Sequence, residues 1–165
     1  MGLFMRLVTR NNFYNQGFTL IELLVSITIM MLMLSIGISS YITFNEKQQL
    51  TGAAKELQMY FRSAQTRARN GDVPSGCVKL EGYNVQMAQD TSVVTVRAIC
   101  DNGNYIRSEH ILTGGVTPNT AIDMTFKVLS GGVTGSQSIT LLLGSRNYTF
   151  KVTEGGEISQ GQLNE

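Results

Sequence analysis

The sequence predicts an α+β chain: one long N-terminal α-helix, half transmembrane and half amphipathic, packed on a C-terminal antiparallel β-sheet domain. Three observations carry this. The 23 residues from Leu23 to Asn45 hold no charge, which is enough for a helix to cross a bilayer. The following segment places apolar residues at i, i+3, i+4 and i+7, a single stripe on a helix. Beyond Asn70 the period changes to two and glycine pairs punctuate the chain, as in hairpins.

Taken in order, residues 1–17 come first, with Arg6 and Arg10 as their only charges. Positive residues before an apolar span hold that end in the cytoplasm, so the orientation is N-terminus inside and the remainder outside. A secretory signal would have a shorter apolar core, followed by a small-residue cleavage site. Here the polar junction Asn15-Gln16-Gly17 precedes the apolar run, so a cut at Gly17 leaves the helix as the new N-terminus. The expected organisation is a leader at 1–17, a transmembrane helix at 18–45, an amphipathic helix at 46–70 and a β-rich head at 71–165.

Glu22 is the ionised side chain inside the span. A carboxylate near mid-bilayer costs about 2.5–3.5 kcal/mol, and less near the interface. Two readings stand. A glutamate in the first helical turn is favoured by the helix macrodipole. Alternatively, the carboxylate is kept to pair with a cation inside an assembly, because a buried charge is tolerable when neutralised and costly alone.

Gly17-Phe18-Thr19-Leu20-Ile21-Glu22-Leu23-Leu24-Val25 resembles the class III signal of type IV pilins and type II secretion pseudopilins. The resemblance implies that a prepilin peptidase cuts between Gly17 and Phe18 and that the new amine of Phe18 is N-methylated. It further implies that Glu22 meets the N-terminal amine of a neighbouring subunit as a fibre grows from an inner-membrane assembly platform. The lipid bilayer is then the partner before assembly, and other pilin or pseudopilin subunits are the partners after it.

The helix continues past the membrane. Leu50, Ala53, Ala54, Leu57, Tyr60, Phe61, Ala64 and Ala68 form the stripe, with Lys47, Lys55, Glu56, Arg62 and Arg67 on other faces. Asn70-Gly71 signals a C-cap and Pro74 forbids continuation. A helix over residues 18–69 is about 78 Å long at 1.5 Å per residue. Its weakest stretch is Leu34-Ser35-Ile36-Gly37-Ile38-Ser39-Ser40, since glycine and serine are poor helix formers. Small residues there serve close helix packing; local unwinding on assembly, implied by the pilin resemblance, is the other reading.

In residues 71–165 the candidate strands are Cys77–Leu80, Tyr83–Ala88, Ser92–Ile99, Tyr105–Leu112, Ile122–Leu129, Ser138–Leu143, Asn147–Thr153 and a short Glu157–Ser159. Asn102-Gly103, Gly114-Gly115, Gly131-Gly132 and Gly155-Gly156 supply turns. The result is an antiparallel sheet folded on itself. Such a small domain has a thin core, helped by the helix stripe and by Cys77 and Cys100. In an oxidising compartment these two pair in only one way, closing a loop worth about 3 kcal/mol; two buried free thiols are the alternative. The run from Ser138-Ile139-Thr140-Leu141 through Tyr148–Val152 to Gly155-Gly156-Glu157-Ile158 resembles the closing strands of the GspH/FimT group of minor pilins and pseudopilins, which implies two antiparallel sheets near the helix and a minor subunit.

Chemistry is poorly represented. Charged residues make up 15% of the chain, against about 25% in soluble domains. His110 is the lone histidine and sits in a presumed strand, which reads as a surface residue rather than a base. Asp101-Asn102-Gly103-Asn104 reads as a hairpin turn, since the bidentate glutamate of a calcium loop is missing. No phosphate loop, dinucleotide fingerprint, CxxC or HExxH appears. The expectation is a structural subunit without enzymatic activity, cofactor or metal. The alternative is a tip-displayed binding module for DNA uptake or adhesion, with Arg62, Arg67, Arg69, Arg146 and Lys151 as candidate phosphate contacts. Removing the leader leaves eleven basic and twelve acidic residues, which does not favour a polyanion.

Overall fold

The computed structural model describes residues 17–164, apart from the side chains of Ile36, Gly37 and Ser39. Arg6, Arg10 and the rest of the expected leader before Gly17 lie outside the described residues. The chain forms two compact units, Met1–Ser40 and Tyr41–Glu165.

Helix α1, Leu20–Asn70, contributes to both units. The stretch at 34–40 is helical here. In the first unit its large apolar side chains are exposed, from Leu20 through Leu34. The best 18-residue window has a mean hydropathy of 2.3, long and apolar enough to cross a membrane. At its other end the helix closes as the Asn70-Gly71 pair predicts. Gly71 has φ 63°, its N–H donates to the Ala68 carbonyl at 3.2 Å, and the Asp72 N–H donates to the Arg67 carbonyl at 3.0 Å. This paired bonding satisfies carbonyls that would otherwise lack partners.

The second unit adds two four-stranded antiparallel sheets to the later turns of α1. The strands are β1 Leu80–Met87, β2 Val93–Cys100, β3 Gly103–Ile111, β4 Thr117–Pro118, β5 Ile122–Lys127, β6 Gln137–Leu143, β7 Arg146–Val152 and β8 Gln162–Asn164. One sheet has the order β3-β2-β1-β5 and the other β4-β6-β7-β8. The single folded sheet expected from the pattern is thus two sheets. The segment after β5 makes the hand-over: Val133 bridges Phe126, and its N–H donates to the Glu154 carbonyl at 2.9 Å, beyond the end of β7.

Two expected strands are corrected. In Cys77–Leu80 only Leu80 joins a strand; Asp101 Oδ1 and Asn102 Oδ1 accept the N–H groups of Lys79 (3.1 Å) and Val78 (3.4 Å), so turn side chains replace a ladder. Glu157–Ser159 makes a single bridge, Val152 with Ile158, because the tight Gly155-Gly156 turn leaves room for one pair before the chain moves away. Pairing with β7 resumes at β8, which carries no alternation strong enough to be read from sequence.

Seven of the eight stripe residues are fully buried, and Tyr60 is half-buried. Phe61 lies edge-on between Phe126 of the first sheet and Phe150 of the second, with ring centroids 6.1 Å apart in each case. Gln65, one turn later, donates to the carbonyls of Gly131 (3.0 Å) and Gly156 (2.7 Å), fastening one loop from each sheet to the helix. A side chain at Gly156, where φ is 79°, would strike the Gly131 carbonyl and the Gln65 amide. Tyr83, fully buried on β1, donates its hydroxyl to the Asp72 carbonyl at 2.7 Å and ties the sheet to the helix end.

Candidate functional site

The N-terminal end of α1 holds the residues on which processing and assembly were expected to depend. Thr19 is the cap: its Oγ1 accepts the Glu22 N–H at 3.3 Å, and its carbonyl accepts the Leu23 N–H at 3.1 Å. The segment Thr19-Leu20-Ile21-Glu22 has the residue spacing of a capping box, a signal available in the sequence and stronger than the macrodipole argument alone. Glu22 therefore sits in the first turn, where the free N–H groups favour negative charge. Among the described residues its carboxylate receives neither a hydrogen bond nor a cation, although its own carbonyl accepts the Ser26 hydroxyl at 2.7 Å. Phe18 is 79% exposed just before the cap.

Among the described residues, Gly17 has nothing within 4 Å of the place where a side chain would begin, and it does not adopt a left-handed backbone. The fold gives no reason for glycine at this position. Gly17, Phe18, Thr19 and Glu22 line one shallow surface depression at the helix start.

Cys77 and Cys100 are joined as a disulfide, with Cα atoms 5.7 Å apart. Cys100 ends β2, and the turn that follows holds the loop around Cys77. Asn102 Nδ2 donates to the Gly76 carbonyl at 2.6 Å, and the Tyr105 hydroxyl donates to the same carbonyl at 2.8 Å. The Asp101–Asn104 turn is thus a brace for this loop.

The five candidate phosphate contacts do not gather on one surface. Arg62 and Arg69 line a groove between α1 and the segment at 155–158. Arg67 lies 3.8 Å from Asp72 at the helix end. Arg146 is paired with Glu46 at 3.2 Å and is largely buried. Lys151 lines a separate depression on the second sheet with Ser138 and Thr149.

His110, expected as a surface residue rather than a base, is half-buried and stacks on Tyr60, with centroids 4.5 Å apart and planes inclined by 18°. Tyr60 donates to Glu56 Oε1 at 3.2 Å, and Thr113 donates to Glu56 Oε2 at 3.4 Å. Burial, then the adjacent Glu56 carboxylate and its hydrogen bond, push the Tyr60 hydroxyl pKa upward. The cluster fastens β3 and the turn after it to α1. No sequence signal marks it, because His110 and Tyr60 are brought together only by folding.

The described residues thus combine a capped apolar helix, long enough to cross a membrane, with a disulfide-braced β domain. A family model, the prokaryotic N-terminal methylation motif, matches residues 12–38. That match supports a place in the type IV pilin and pseudopilin superfamily, and with the apolar helix it fits a single-pass anchor in the inner membrane. The matched segment includes Gly17, Phe18 and Glu22 and none of the β domain. No curated protein and no solved structure matches the chain.

Proposed function

We propose that the chain is a structural subunit of a type IV pilus or type II secretion pseudopilus, a minor one, assembled from the inner membrane after its leader is removed. Prepilin peptidase cuts between Gly17 and Phe18, and Phe18 is N-methylated. The helix waits in the bilayer with the head outside the cytoplasm. Glu22 then draws in the amine of a neighbouring subunit, the apolar helices bundle, and the β domain covers the fibre.

The observation that carries this reading is the Glu22 carboxylate, held in a capped first turn of an exposed apolar helix and without a partner among the described residues. In lipid or in a helix bundle such a charge is unfavourable until a cation reaches it. A freshly exposed N-terminal amine is a cation of the right kind at the right end of the helix. Gly17 adds support, since nothing in the fold requires glycine there and an enzyme that must approach the backbone does.

Glu22→Ala is expected to leave insertion and leader removal intact and to abolish incorporation into sheared fibres, as followed by immunoblot. Fibres of normal content from this variant would refute the pairing role. Replacing Gly17 by leucine is expected to yield only the larger, uncut precursor on a gel, and a mature-sized band would count against the cleavage position.

A further inference from the structure

One arginine of the β domain is left without a partner. Arg97 lies on β2 between Val96 and Ala98, both buried in the core, so its own side chain points to the outer face of the first sheet. It is half-buried there, its Nε is enclosed, and among the described residues it makes no hydrogen bond and no ion pair. Few enclosed polar atoms in native folds go unpaired, because the lost hydration is not returned. The acids on this face do not serve it. Asp123 lies two strands away on β5 and accepts from Asn84 Nδ2 at 2.6 Å. Glu109 on β3 is opposite Thr95, one step along the face, and no ion pair joins it to Arg97 among the described residues. Lys127, the other cation of the face, is at its far side, opposite Gly82.

The surroundings of Arg97 are apolar toward β3. Ile106 stands directly opposite it, and Ile99 and Ile111 share the face. Ile106 and Ile111 are 63% and 70% exposed. Five positions apart on a regular strand, they would point to opposite faces. A bulge brings them together: the register slips between Val96 and Arg97, Arg107 is left unopposed, and both isoleucines turn outward. Bulges re-aim side chains in this way, often beside functional sites. Toward β1 the face continues with Asn84 and Gln86, and the Asn84 amide is already bonded to Asp123 and Thr125. A sheet face is not a cleft, so it suits a protein surface better than a small molecule.

Going beyond the reading as a fibre subunit, we infer that this face docks a protein other than this chain, which sets an aspartate or glutamate side chain on Arg97 between apolar residues that cover Ile106 and Ile111. The carboxylate supplies the acceptor that the guanidinium lacks, in a charge-assisted bond. Arg97 is already partly desolvated in the free chain, so that bond gains more than one to a fully hydrated surface arginine. Apolar contacts around it exclude water, and an arginine so enclosed is a recurrent source of binding energy at protein interfaces.

The test uses the full chain in the cells that make it, with a photo-crosslinking amino acid at position 106 or 111. The same probe at Leu129, 80% exposed on the turn after β5, is the control. Cross-links from 106 and 111, and not from 129, are expected to one protein other than this chain, within a peptide that carries an acid beside branched apolar residues. Arg97→Met is expected to reduce that cross-link about tenfold. Changing the mapped acid to arginine is expected to do the same, and combining that change with Arg97→Glu to restore it. Since Arg97 has no partner in the fold, Arg97→Met is also expected to leave the denaturant midpoint of the purified chain unchanged or raised. A lowered midpoint would assign Arg97 to holding the sheet and overturn the inference. So would the absence of a cross-link, a cross-link to a second copy, to lipid or to polysaccharide, or one that Arg97→Met leaves at the wild-type level. The cross-link is read whether or not the chain enters fibres, so the subunit reading stands or falls separately.

Discussion

The two halves of α1 have the same secondary structure and opposite environments. Leu24 and Leu32 are 51% and 68% exposed, while Leu50 and Leu57 are fully buried. Side-chain type does not separate them; the distribution around the helix does. The earlier half is apolar on all faces, so no single sheet could cover it, and it needs lipid or other helices. The later half confines its apolar residues to one stripe, which a small β domain can bury. The character of the helix changes where charged residues first interrupt the apolar run, at Glu46 and Lys47.

This contrast is open to attack from either side. The largest expected effect is on Phe61→Ala, which removes the ring between Phe126 and Phe150. Head stability is expected to fall by about 3–5 kcal/mol, with membrane insertion unchanged. Denaturant unfolding of the purified chain in detergent, compared with the membrane fraction of cells, measures both. Next, Leu32→Arg is expected to oppose insertion by about 2.5–3.5 kcal/mol and to leave the protease resistance of the head as it was. Equal damage to the head from both variants would show that the halves are not energetically separate.

The smallest effect concerns pH. Burial, followed by the nearby Asp72 carboxylate, raises the Tyr83 hydroxyl pKa above 10.0, with Arg107 and Arg67 opposing. The unfolded chain then gives up this proton before the folded one does. Stability from this source is complete below about pH 10 and is lost as pH rises through the folded pKa. The midpoint of denaturant unfolding is expected to decline above that pH, and Tyr83→Phe to shallow the decline. Tyr60, raised in the same direction, accounts for part of what remains. A variant with an unaltered slope would remove Tyr83 from this account.

Much of the architecture was legible because its signals are local. The 3.6-residue stripe named the helix residues that bury, the Asn70-Gly71 pair named the C-cap, and alternation in Tyr83, Val85 and Met87 named the core face of β1. The Thr19 cap is equally local, marked by a threonine three residues before Glu22. What escaped was set by distant partners. Residues 77–79 are as β-prone as a strand but are held by Asp101 and Asn102 across the disulfide. β4 and β8, of two and three residues, are strands only because β6 and β7 lie beside them.

At the N-terminal site, sequence specified the residue types and their spacing, and the structure added the Thr19 cap, with no partner for the Glu22 carboxylate among the described residues. For the five candidate cations, sequence could count charges but could not say which shared a surface.

By itself the sequence determined where the helix changes from apolar on all faces to one apolar stripe, which face of that later half turns inward, and that β-structure follows. These depend on hydrophobicity and hydrogen bonding over spans of one or two helical turns. Only the tertiary structure decided that the strands divide into two sheets, that Phe61 and Gln65 fasten both to one helix, and that Arg146 is paired while Arg62 faces a groove. Such choices depend on contacts between residues far apart in the chain, 100 positions for Glu46 and Arg146, and no local pattern encodes them.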